Sequence, residues 1–215
     1  MSIFFLKDED MNLYFTAEAF LSLLGPIMEN YPKETGGLLV GTIEKKWIDG
    51  KYQPTITINT VFPSLSARSR KGSWKRNEKK VQMMEGFVKS FNLLILGEYH
   101  SHPNGDAELS DDDEEYIEDQ AEDLEFQEKI IDEKFNKVSW IEIIVSLEKK
   151  KTERNQIHDS SWETESEGCK LQGKVLISTE EYFKIIISAW AYISNEEEFY
   201  ELPVFTEISS SFEFE

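Results

Sequence analysis

The chain has 215 residues, of which 40% are apolar and 13% aromatic, enough to build the core of one moderately large domain. A formal net charge of -19 argues against nucleic acid and anionic membrane surfaces as partners, because both would be repelled over most of the surface. The single cysteine, Cys169, excludes an internal disulfide and fits a reducing cytosol.

The start of the chain, Met1-Ser2-Ile3-Phe4-Phe5-Leu6, is too short in apolar residues for a signal peptide, and charges follow at Lys7-Asp8-Glu9-Asp10. No apolar run approaches the roughly 20 residues that a membrane helix needs. The expectation is a cytoplasmic protein.

In chain order, residues 13–15 read as a short strand, and Thr16 can cap a helix with Phe20, Leu23, Leu24, Ile27 and Met28 at helical spacing. Pro26 should kink or interrupt that helix, which must end by Tyr31-Pro32. The pair Gly36-Gly37 suggests close backbone approach, and Leu38-Leu39-Val40 a buried strand. Two strand-like runs, 43–48 and 53–62, flank the hairpin signal Asp49-Gly50.

The basic stretch 64–74 reads as a loop. Asn77 can cap a helix bearing Val81, Met84, Phe87, Val88 and Phe91 on one face. The apolar strand Leu93-Leu94-Ile95-Leu96 follows. Residues 111–135 read as a strongly acidic helix with Ile117, Leu124, Ile130, Ile131 and Phe135 as apolar positions, and 138–147 as a β-branched strand.

Residues 148–170 read as a loop or insertion. Val175-Leu176-Ile177 reads as a short strand, and Thr179 as the cap of a C-terminal helix over 180–194. A tail of edge strands closes the chain. This irregular mixture predicts one domain spanning 1–215, with a mixed central sheet flanked by helices. Its motif-bearing core covers about 13–147, and a C-terminal helix and tail cover 171–215.

The chemistry concentrates where the central apolar strand ends, in Gly97-Glu98-Tyr99-His100-Ser101-His102-Pro103, which holds two of the chain's three histidines. On an extended chain His100 and His102 point the same way. Two imidazoles and one carboxylate suit Zn2+, leaving a fourth position for water. Asp111, Asp112 and Asp113 compete to be the carboxylate. Asp113 shares a helix face with Ser110, an arrangement that also fits an ordinary capping box. His158, in a polar loop, is assigned no role, and Cys169 reads as an unreactive thiol.

His100-Ser101-His102-Pro103, six residues, then Ser110-Asp111-Asp112-Asp113 resembles the signature of the JAMM (MPN-type) zinc metalloproteases. Pro32-Lys33-Glu34-Thr35-Gly36-Gly37-Leu38-Leu39-Val40-Gly41 is similar to that family's upstream glutamate segment. The resemblance implies an α/β (mixed α+β) MPN/JAMM fold of cytidine deaminase-like architecture. It further implies Zn2+ held by His100, His102 and Asp113, with Glu34 as general base and Ser110 as hydrogen-bond donor to the oxyanion.

The implied activity is cleavage after the C-terminal glycine of a ubiquitin-like protein, freeing it from conjugates or precursors. Its Gly-Gly tail would be the partner, with associated conjugation enzymes and a setting in bacterial antiphage defence. The alternative is an inactive MPN-like scaffold.

Overall fold

The computed structural model describes residues 11–48, 50–64, 68–70, 73–75, 78–91, 93–123, 138, 140–152, 162–164, 169–193 and 196–208. Strand β1 (Asn12–Phe15) leads into helix α1 (Ala17–Asn30) through Thr16, whose hydroxyl accepts the Ala19 N–H at 3.2 Å. The helix buries Ala19, Phe20, Leu23, Leu24 and Ile27 along one stripe. It runs through Pro26 without interruption, and ends at Tyr31-Pro32 as the sequence requires.

Strands β2 (Gly36–Ile48) and β3 (Lys51–Pro63) form the long hairpin signalled by Asp49-Gly50, with Gly50 at φ 78°. A small hairpin, β4 (Arg68–Arg70) and β5 (Ser73–Lys75), precedes α2 (Glu78–Lys89). Then come β6 (Leu94–Pro103), α3 (Asp111–Asp123), β7 (Trp140–Lys151), β8 (Trp162–Thr164) and β9 (Leu171–Leu176). The chain continues through β10 (Glu181–Ile193), β11 (Glu198–Leu202) and β12 (Val204–Thr206).

One sheet of ten strands organises the molecule, in the order β12-β1-β3-β2-β6-β7-β10-β9-β8, with β11 beside β10 beyond the end of β9. It is mixed, as expected. β1 is parallel to β3 and β12, β6 is parallel to β7, and the other pairs are antiparallel. One face carries α1 and the main core, including Leu13, Phe15, Leu39, Ile56, Tyr99, Ile143 and Ile187. The opposite face carries α3 over a smaller cluster of Ile117, Trp140 and Tyr192.

The histidine strand changes parity part-way along. Opposite the register shift at Leu39/Val40, Val40 pairs with Ile95 and Leu39 with Gly97, so Leu96 is the extra residue of a β-bulge. Leu96 and Tyr99 therefore both face the main core, whereas Glu98, His100 and His102 turn to the α3 side. Gly97, at φ 155°, lies so close to the neighbouring strand that a Cβ would stand 1.8 Å from the Ile141 carbonyl oxygen.

Several sequence expectations are corrected. Strand β10 (Glu181–Ile193) takes up the span expected to form a C-terminal helix, and Thr179 caps no helix. Phe183, Ile185, Ile187, Ala189, Ala191 and Ile193 alternate along one buried face, while the other face carries Tyr182, Ile186, Trp190 and Tyr192 beside Lys184 and Ser188. A run with large apolar residues on both faces satisfies helical and strand periods alike, and its isoleucines and its place between β7 and β9 favour the strand.

The basic 64–74 loop contains hairpin β4–β5. β7 continues to Lys151 and β8 is a further strand, so 148–170 is not wholly loop. On α2, Val88 is buried but Phe87 and Phe91 are 50% and 60% exposed, packing on each other and Phe62 rather than into the core.

The tail forms β11 and β12 as edge elements. Beyond residue 123, the expected apolar positions Leu124, Ile130, Ile131 and Phe135 lie outside the described residues, as do His158 and the capping residue Asn77. No helix among the described residues is long and apolar enough to cross a membrane.

Gly97→Ala is expected to cost at least about 2 kcal/mol, because the methyl group meets backbone rather than a side chain that can swing away. Urea denaturation measures the loss. A variant as stable as the parent would show that β6 can move off β7.

Candidate metal centre

The site is built from β6 outwards. His100 and His102 stand on one face of the strand, and their Nε2 atoms lie 2.9 Å apart. Asp113, in the first turn of α3, brings Oδ1 to 3.2 Å from His100 Nε2 and Oδ2 to 3.6 Å from His102 Nε2. Of the three consecutive aspartates, Asp113 is the one that faces the imidazoles.

The far nitrogens are also held. His102 Nδ1 lies 3.0 Å from the Asp106 carbonyl, which can only accept, so Nδ1 carries the proton and Nε2 is a lone pair. His100 Nδ1 donates to Glu142 Oε1 at 2.9 Å, and the other oxygen of Glu142 accepts the Trp140 indole N–H at 2.9 Å. Glu142, 2% exposed, is therefore fixed at both ends. Tyr116 of α3 donates to the buried Glu98 at 2.9 Å, which ties the helix bearing Asp113 to the strand bearing the histidines.

Glu34 enters from the segment just before β2, the neighbouring strand. Gly36 pairs with His100, and Thr35 and Ser101 exchange two bonds: Ser101 N–H to the Thr35 carbonyl at 2.8 Å, and Thr35 N–H to the Ser101 hydroxyl at 2.9 Å. That antiparallel register brings residue 34 alongside His102. Ser101, between the two histidines and fully buried on the opposite face, thus sets the backbone that carries Glu34.

Electrostatics follow from this crowding. Burial opposes a charge on His100, but hydrogen bonds to Asp113 and Glu142 outweigh it and push the imidazole pKa up to about 10. Burial and the neighbouring charge of His100 push His102 down. Burial would raise Asp113, yet bonds from His100 and Ser110 hold it well below the usual carboxylate range. Glu34 is raised chiefly by burial; His100 draws it back and Asp113 lifts it again.

These residues fit a metal ion. Tetrahedral Zn2+ with bonds of about 2.0–2.1 Å spaces its ligand atoms roughly 3.3 Å apart. The Nε2–Nε2 separation of 2.9 Å lies near that edge, Asp113 approaches one imidazole with each oxygen, at 3.2 and 3.6 Å, and one ligand atom from each of the three residues lies within 4.8 Å of the others. Two imidazole nitrogens and a carboxylate are the borderline donor set that Zn2+ takes, and the surrounding carboxylates of Glu34 and Glu142 favour a cation.

The chain matches the family described as prokaryotic homologs of the JAB domain over residues 16–159. It belongs to that family. The matched span of this JAB domain includes Glu34, His100, His102, Ser110 and Asp113, so the recognised motifs and the geometric cluster coincide. The solution structure of protein DSY2949 from Desulfitobacterium hafniense is similar with a TM-score of 0.52, covering 93% of this chain and 95% of that one. At 13% identity the likeness is one of fold alone. No curated protein matches the chain.

In this JAB domain Ser110 has a visible job of its own. Its hydroxyl donates to Asp113 Oδ2 at 2.6 Å, its backbone N–H donates to the same oxygen at 2.9 Å, and it accepts the Asp113 N–H at 3.3 Å. This reciprocal capping box locks the carboxylate in place. Glu142, Asp106 and Ser101 escaped the sequence reading. For Glu142 the one visible mark is a lone carboxylate inside the apolar run Trp140-Ile141-Glu142-Ile143-Ile144-Val145.

Glu142→Gln offers one acceptor where the carboxylate offers two, so His100 or Trp140 loses its partner. Zinc affinity is expected to fall about 10- to 100-fold, read by competition with a chromophoric chelator. Unchanged affinity would show that Glu142 does not orient His100.

Proposed function

We propose that this JAB domain is a zinc-dependent peptidase or isopeptidase that cleaves after the C-terminal glycine of a ubiquitin-like modifier, releasing it from conjugates or precursors. The observation that carries the reading is the convergence of two imidazole Nε2 lone-pair positions and Asp113 on one point, beside a glutamate whose affinity for protons is raised. A scaffold has no need of a half-buried base held next to a metal-ligand set.

Zinc, when bound, polarises a carbonyl and lowers the pKa of water to about 7. The chain's own residues supply the rest. Glu34 accepts a proton from the attacking water and delivers it to the departing amine, so one carboxylate serves both halves of the hydrolysis. His100 and His102 keep fixed tautomers throughout, because Glu142 and the Asp106 carbonyl hold their Nδ1 protons.

Ser110 is exposed at the rim of the site. Its hydroxyl can turn from Asp113 towards a developing oxyanion, while its backbone N–H keeps hold of Asp113. The Gly-Gly tail of a ubiquitin-like protein is the proposed substrate because a chain without side chains can lie closest to the metal.

Glu34→Gln should bind zinc as the parent does yet lose hydrolysis by at least about a thousandfold, since only the proton acceptor is removed. The assay uses a ubiquitin-like precursor extended beyond its terminal glycine and a branched conjugate of the same modifier. Cleavage by the variant at the parental rate would overturn the mechanism. A wild-type chain that binds no zinc would point instead to the scaffold.

Ser110→Ala separates the two jobs of that residue. An oxyanion role predicts a turnover loss of about 100- to 1,000-fold with zinc retained. A capping role alone predicts a stability loss of about 1 kcal/mol with turnover little changed.

A further inference from the structure

The loop between the histidine strand and α3 is gripped from below by two hydroxyls that neither the motif nor the donor set explains. Ser146 of β7 donates to the Gly105 carbonyl at 2.5 Å, and Ser188 of β10 donates to the Ala107 carbonyl at 2.7 Å. The carbonyl between them, that of Asp106, is the acceptor for His102 Nδ1. Three consecutive carbonyls are thus each taken by one donor, and the outer two grips fix the direction of the middle one.

The rest of the loop is tied in the same sense. Asn104 N–H donates to the Leu147 carbonyl at 2.9 Å, and Gly105 N–H to the His102 carbonyl at 3.1 Å. Lys170 pairs with Glu108.

The two serines belong to one device. In the β7–β10 register Ser188 pairs with Ile144 and Ile186 with Ser146, so the hydroxyls are diagonal neighbours on the sheet face that also carries Glu142. Ser188 is fully buried, and its oxygen accepts the Trp190 indole N–H at 3.3 Å, which leaves its own proton to point at Ala107. Ser146 is 8% exposed. Each interrupts a buried strand rich in isoleucine, where a hydroxyl costs stability unless it is hydrogen-bonded.

We propose that Ser146 and Ser188 are positioning residues for the metal centre. By clamping Gly105 and Ala107 they aim the Asp106 carbonyl at His102, hold that imidazole as its Nδ1–H tautomer, and so present Nε2 to Zn2+. The inference rests on the metal-centre reading above, but the tautomer it specifies exists with or without metal. Orienting contacts of this kind, one bond removed from the ligand, govern metal affinity as well as geometry.

The experiment compares wild type, the Ser146→Ala/Ser188→Ala double variant, each single variant and Ser146→Thr. The two readouts are imidazole 15N shifts of the zinc-free protein and Zn2+ affinity by chelator competition. With only three histidines in the chain, the imidazole signals can be assigned by His100→Gln and His158→Gln.

The expected result is a pure Nδ1–H tautomer for His102 in wild type. The double variant should show mixed tautomers and a zinc affinity about 10- to 100-fold weaker. Ser146→Thr, which keeps the hydroxyl, should stay within about threefold of wild type on the same scale.

A folded double variant with the wild-type tautomer and affinity overturns the clamp and leaves the serines as ordinary satisfied hydroxyls. So does a wild-type His102 protonated at Nε2, a result that needs no variant at all. Should the double variant not fold, the more accessible Ser146→Ala is judged by the same two readouts. A wild type that binds no zinc, yet whose tautomer shifts on removing the hydroxyls, upholds the clamp while overturning the metallopeptidase reading.

Discussion

The close approach of β6 to β7 at Gly97 is the constraint on which the site depends. Only a residue without a Cβ can lie there, because the Ile141 carbonyl occupies the space. The bulge at that point resets the alternation of β6, so the strand enters with Leu96 in the main core and leaves with His100 and His102 on the other side of the sheet. Without that reset, the side chains after Gly97 would swap faces. Tyr99 would turn to the α3 side, and the imidazoles would turn to the face that carries the main core.

Once the histidines face α3, the neighbouring elements complete the site at short range. The parallel register of β6 with β7 sets Glu98 beside Glu142, placing a carboxylate within reach of His100 Nδ1. The antiparallel register with β2 puts Thr35 against Ser101 and so carries Glu34 to the same end of the sheet. Tyr116 and the Ser110–Asp113 cap fix the start of α3 above them. Each ligand is thus held by at least one contact that is itself buried or backbone-based, which is what preorganisation of a metal centre requires.

Charge accounts for much of the site's character. Carboxylates at 34, 113 and 142 surround two imidazoles, and in the absence of another cation His100 answers that excess by holding its proton. Metal binding and protonation therefore compete for the same nitrogen. The acidic first turn of α3 has a local purpose. The helix dipole and the Ser110 cap together favour an ionised Asp113, the state a ligand needs.

The sequence by itself outlined the fold and pointed to the candidate site through its two motifs. The histidine pair stood out by its spacing, whereas Glu34, Ser110 and the choice of Asp113 among three aspartates came from the resemblance of two motifs to the JAMM family. The first helix, the Asp49-Gly50 hairpin and the histidine strand were legible because capping, turn and alternation signals agree there.

What only the tertiary structure decided was whatever depends on strand neighbours far apart in the chain. The run 181–193 carries large apolar residues on both faces, so its period cannot tell helix from strand until β7, β9 and β11 are seen to flank it. Glu142, Ser146 and Ser188 look like stray polar residues in apolar strands. They acquire meaning only when pairing across some 40 to 80 residues of sequence sets them beneath His100 and the Asp106 carbonyl. A hydrogen bond to a distant backbone carbonyl leaves no periodic trace, whereas a ligand set confined to one strand and the next helix leaves a motif.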